Sequence, residues 1–143
     1  MIDIEAVARD LGTTAAAPAP ATSASAFPIA RPLDPRERHF RNLRQLTDGG
    51  ENAEAYFSFD GARLSFQSTR PPYECDQIFG MDLRGREIRL LSTGLGRTTC
   101  SYFFPGNRHV LYASTHLAGD ACPPPVDMSM GYAWALYDSY DIF

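Results

Sequence analysis

From His39 onward, short runs of aromatic and aliphatic residues alternate with polar positions and stop at Gly, Pro or Asp. Such a texture predicts strands joined by turns, because a helix would repeat its apolar positions every three or four residues. Ala55–Phe59 is aromatic-rich and leads into Asp60-Gly61, a two-residue hairpin signal. Arg63–Ser68 alternates, with Leu64 and Phe66 on one face. Gln77–Asp82 reads as a third strand, and Leu83-Arg84-Gly85 turns it into a fourth over Glu87–Ser92.

The pattern then recurs. FQSTR (66–70) aligns with YASTH (112–116) at a separation of 46 residues, and the same separation lays AYFSFDG (55–61) on SYFFPGN (101–107). RQLT (44–47) falls on RLLS (89–92) at 45, and QIF (77–79) on DIF (141–143) at 64. The second copy therefore carries 18 more residues than the first, between the second and third strands. Four short antiparallel strands in roughly 40–50 residues is the period of a β-propeller blade. A meander sandwich is the plainer alternative, but its strands have no need to repeat. The expected fold is thus all-β: a partial propeller of about two four-stranded blades, one over 54–92 and an incomplete one over 100–143. YDSYDIF (137–143) corresponds to the start of a third strand, with no counterpart of GMDLRG after it.

Ahead of the repeats the chain reads differently. Ile4, Val7, Ala8 and Leu11 fall at helical spacing before Gly12, which suits a short helix over residues 1–12. Residues 13–38 begin as an Ala-, Pro- and Ser-rich stretch with little apolar bulk, and predict a disordered linker.

Composition narrows the chemistry. A formal charge of −4 argues against a nucleic-acid surface, and no apolar run approaches a membrane span. The start has no basic region followed by an apolar one, so no export signal is visible there. Three cysteines without a C-x-x-C pair, and three histidines, make a poor zinc set; no metal or cofactor is expected. GLGRTT (94–99) echoes a phosphate loop but leads into a strand, which lacks the helix N-terminus that binds anions. No G-x-S-x-G occurs, so a hydrolase nucleophile elbow is absent from the sequence.

RQLT…AYFSFDGARLSFQSTR…DQIFGMDLRG resembles the TolB-type propeller repeat, whose usual form is RLT…PSWSPDGKKIAFVSDR…IYVMDADG. The resemblance spans about Leu43 to Phe143, with Phe59 replacing the usual Pro and Gly106 the usual Asp. ENAEAYFS, ECDQIF, GRTTCSYFFPG and CPPP…GYAWALYDSYDIF are similar to a group of bacterial TolB-like propellers without assigned function. That resemblance implies a periplasmic or envelope location and a non-catalytic binding scaffold for a protein or peptide. The alternative is the substrate-gating propeller of a prolyl-oligopeptidase-like serine peptidase, with its catalytic domain elsewhere.

In a blade, the loop approaching the inner strand and the loop between the second and third strands share one face. Here these are 49–54, 93–100, 69–76 and 115–141, against three tight turns on the opposite side. Long loops on a rigid scaffold are where binding usually resides. The candidate binding residues are accordingly Glu54, Arg70, Asp76, Arg97, Thr98, Thr99, His116, Trp134 and Asp138. For each of them, holding a loop or packing against a neighbour is the plainer role. Tyr132 and Tyr137 accompany Trp134 in the insertion, which Pro123-Pro124-Pro125 stiffens. Cys100 and Cys122 share the loop-rich face, so a disulfide between them is one reading if the protein is exported, and a free buried cysteine is the alternative for any one of the three. An incomplete blade leaves a strand edge open, so self-association is also expected.

Overall fold

The computed structural model describes residues 28–143 together with the backbone of Ile2–Asp3. Every regular element among them is a strand. β4 (Glu51–Phe57), β5 (Arg63–Thr69), β6 (Gln77–Asp82) and β7 (Arg89–Leu90) form a four-stranded antiparallel sheet in chain order. β8 (Thr98–Phe103) and β9 (His109–Ser114) begin a second sheet, and β10 (Asp141–Ile142) pairs with the C-terminal end of β9. β1 (Ile2–Asp3) pairs with the N-terminal end of the same strand, opposite Val110 and His109. A small ladder joins β2 (Ile29–Ala30) to β3 (Arg44–Gln45). The class is all-β, in three antiparallel sheets.

The sequence repeat is carried into hydrogen-bond register. Tyr56 faces Ser65 and Phe57 faces Leu64 across β4 and β5. Tyr102 faces Leu111 and Phe103 faces Val110 across β8 and β9, each 46 positions on. Both β4 and β8 are interrupted by a bulge at the same place, between Ala53 and Tyr56 and between Thr99 and Ser101. The bulge residues are Glu54 (φ 51°) and Cys100 (φ 45°). Their left-handed backbone inserts an extra residue and re-aims the strand, as bulges do. Each hairpin closes alike, with Ser58 N bonded to Arg63 O (2.9 Å) and Phe104 N to His109 O (3.0 Å). Gly61 (φ 67°) and Asn107 (φ 58°) take the left-handed turn position, which these two residue types tolerate best.

Two expectations change at the strand starts. Glu51–Glu54 and Thr98–Cys100 were assigned to loops, yet they extend β4 and β8. Glu and Asn have low strand propensity, but pairing of Glu51 with Thr69 and Asn52 with Ser68 overrides it. Of the expected helix, residues 2 and 3 are strand and the remainder lies outside the described residues. The expected linker is described only from residue 28, where it includes β2, tied by Arg31 N to Leu43 O at 2.9 Å.

Two apolar clusters hold the sheets. Leu64, Phe66, Phe79 and Met81 pack on the outer side of the first sheet, under Leu46, Tyr73, Leu83 and Leu90. Ile78 and Leu91 from the first sheet meet Phe103, Val110 and Tyr112 from the second. Burying a side chain of this size contributes about 1.5–3 kcal/mol, so this cluster is the main attachment between the sheets. Polar ties reinforce it. Asn107 Oδ1 accepts from Phe59 N at 2.7 Å, and Arg63 donates to Asn107 O at 2.6 Å.

Candidate functional site

The two sheets and the insertion 115–140 enclose a groove of about 470 Å³ on the loop-rich side. Its floor is the N-terminal half of β4, with Glu51, Asn52, Ala53 and Glu54, together with Gln67 of β5. Asp76 comes from the loop that leads into β6, Arg97 and Thr99 from the start of β8, and Tyr132, Trp134, Tyr137 and Tyr140 from the insertion.

Arg97 and Asp76 form an ion pair at 2.8 Å, largely shielded from solvent. Glu54 accepts the hydroxyl of Tyr56 at 2.6 Å, and this bond raises the Tyr56 pKa above its ordinary value. Burial raises that of Tyr140 likewise. Both phenols are therefore neutral donors at physiological pH. Gln67 is buried and uses its carbonyl to accept from Thr99 Oγ1 (3.0 Å) and Cys100 N (3.2 Å), fixing the second bulge against the first sheet.

The insertion is fastened at its root. Gly96 N donates to Asp120 O at 2.8 Å, and Gln77 Nε2 to Gly96 O at 2.8 Å. A Cβ on Gly96 would lie 2.7 Å from Thr115 Oγ1, so only glycine permits this approach. Segment 120–122 is thereby laid beside the start of β6, and Cys122 is bonded to Cys75, with 6.0 Å between the Cα atoms. The Cys100–Cys122 reading is thus replaced. Cys100 sits at the β8 bulge, exposed and free, lining an apolar depression with Tyr56, Tyr102, Leu111 and Ile142.

Of the nine candidate binding residues, Glu54, Asp76, Arg97, Thr99 and Trp134 line the groove. Thr98 does not, because its N–H and hydroxyl are both spent on Asp76 O at 2.9 and 3.1 Å. Arg70 lies over the rings of Phe66 and Phe79 and donates to Ser68 Oγ and Asn52 Oδ1. Its guanidinium covers the outer cluster, and burial lowers its pKa. His116 packs on Phe143, 4.2 Å between ring centres, with Ser114 Oγ 2.8 Å from its Nδ1. Asp138 is exposed and is not among the lining residues. Sequence reasoning missed Glu51, Gln67 and Tyr140. Glu51 lies in the same entry segment as Glu54 and carried no signal that set it apart, and Gln67 was hidden by its burial within a strand.

No group of three or more metal-ligating side chains occurs among the described residues, and no helix there is long and apolar enough to cross a membrane. Neither a family model, a curated protein nor a solved structure matches the chain.

Proposed function

We propose that this chain is a non-catalytic binding module of the TolB-like propeller type, which engages a protein or peptide in the bacterial cell envelope through its loop-rich face. The two β4–β7 and β8–β10 units, related at a constant register, support the propeller reading. A disulfide that roots the insertion fits an oxidising compartment. The observation that carries the binding role is the exposure of large apolar residues along the insertion. Leu117, Met130, Tyr132 and Leu136 are 72–98% exposed, and Met128 and Trp134 more than half. Exposed large apolar side chains gathered on one segment suit an interaction site, and Met128, Tyr132 and Trp134 among them line the groove.

A photo-crosslinking side chain placed at position 132, at the groove, and at position 61, on the opposite hairpin face, tests this in cells. Discrete adducts from 132 alone are expected. Equal adducts from both positions, or none from either, would contradict a binding role for this face.

A further inference from the structure

We infer that the groove takes an extended peptide carrying arginine or lysine side chains; the inference deepens the binding role proposed above and depends on it. Three carboxylates line the groove, Glu51, Glu54 and Asp76, against one guanidinium. The charge of that guanidinium is paired, since Arg97 Nη1 lies 2.8 Å from Asp76 Oδ2, while its buried Nε has no partner among the described residues. Glu51 and Glu54 have no ion-pair partner among the described residues. Glu54 is held in place by the Tyr56 hydroxyl and by the bulge that bears it. A cation entering the groove therefore meets two unpaired carboxylates, one of them already held in place, whereas an anion meets uncompensated negative charge.

The opposite wall suits the same ligand. Trp134 and Tyr132 are exposed, and aromatic faces attract guanidinium and ammonium groups, tryptophan most strongly. The floor explains why the ligand should be extended. Among the described residues β4 is the outermost strand of its sheet, so one side of Glu51–Glu54 has no strand hydrogen-bonded to it. A peptide laid along such an edge gains main-chain hydrogen bonds, with alternate side chains pointing into the groove. Arginine or lysine at alternate positions would then face the two glutamates.

Trp134 is the single tryptophan of the chain and provides the readout. Its fluorescence is titrated, in the full oxidised chain, with acetylated and amidated Ala-Arg-Ala-Arg-Ala, and with the matching Gln and Glu peptides. A saturable response to the arginine peptide is expected, about tenfold stronger in affinity than for the glutamine peptide and absent for the glutamate one. The Glu51→Gln/Glu54→Gln variant should lose that preference. A Glu74→Gln/Glu87→Gln variant, which removes equal charge elsewhere on the exposed surface, should keep it. Equal response to all three peptides, or equal losses in both variants, overturns the inference. If adducts still form from position 132 in that case, the binding role stands and only the ligand class falls; if they do not, both fall.

Discussion

The same strand–turn–strand unit appears twice in this molecule, with one register and one bulge, yet its two copies do different work. Phe57 and Phe103 occupy the same repeat position. Phe57 is 63% exposed, whereas Phe103 is 3% exposed and sits in the cluster that joins the sheets. Glu54 and Cys100 occupy the same bulge, one presenting a carboxylate to the groove and the other a thiol to an apolar depression. Between the second and third strands the first copy spends residues 70–76, and the second inserts the whole groove wall. A conserved backbone frame thus leaves side chains and loop length free to diverge. The asymmetry between the copies lies in those two variables.

Substitutions at paired positions should expose this asymmetry, and the core pair should show it most. Phe103→Ala removes an aromatic ring from the contact between the sheets and is expected to cost about 3–5 kcal/mol. Phe57→Ala, at the same place in the other copy, should change stability by about 0.5 kcal/mol or less. Denaturant melts of the two variants check this; equal losses would mean that the sheets do not pack through Phe103.

Two glycines that are not repeat counterparts come next. Gly61 and Gly96 both have left-handed backbone, with φ of 67° and 60°. A Cβ at Gly61 meets open space, so alanine there carries only the conformational cost of about 1–2 kcal/mol. At Gly96 it also collides with Thr115 and His116 backbone, so Gly96→Ala should cost more and loosen the insertion. Thermal melts give the first effect, and hydrogen exchange over 115–125 gives the second. A Gly96→Ala variant no worse than Gly61→Ala would place the insertion root elsewhere. Gln67 and its counterpart Ala113 make a smaller contrast. Gln67→Ala strips the acceptor from Thr99 and Cys100 and should cost about 1–2 kcal/mol, measured by the same melts.

The smallest effect is in the turns. Asp60 accepts from Ser58 Oγ (2.6 Å) and Ala62 N (3.1 Å), and these bonds hold its pKa below the ordinary 3.8. Its counterpart is Gly106, which has no carboxylate. A depressed carboxyl pKa stabilises the fold fully above 3.8 and loses that contribution as pH falls through the folded value. Acidification below 3.8 should therefore raise hydrogen exchange across 58–63 before it does so across 104–109. Simultaneous loosening of both hairpins would remove Asp60 from the account.

What could be read from the sequence follows the same division. The repeat spacing carried the hairpins, their register and the Asp60-Gly61 turn, because strand alternation and turn chemistry are local signals. Glu51 and Thr98 were misplaced because their strand character comes from partners on β5 and β9, not from their own propensities. Half of the groove was visible as polar and aromatic loop residues, but Thr98, Arg70 and His116 turn out to hold the structure together. Their roles depend on which neighbour the folded chain brings near, and no spacing encodes that. The cysteine pairing was misread for the same reason. Gly96 and Asp120 steer the insertion across the first sheet, and a stretch rich in Pro and Gly gives no periodic sign of its path.

That path decides whether the groove exists, so the most direct measurement is disulfide mapping of the oxidised chain. Proteolysis without reduction, followed by mass spectrometry, should yield a linked peptide pair containing Cys75 and Cys122, with Cys100 carrying the free-thiol label. A Cys100–Cys122 link, or three labelled thiols in oxidised protein, would lift the insertion off the first sheet and remove the groove with it.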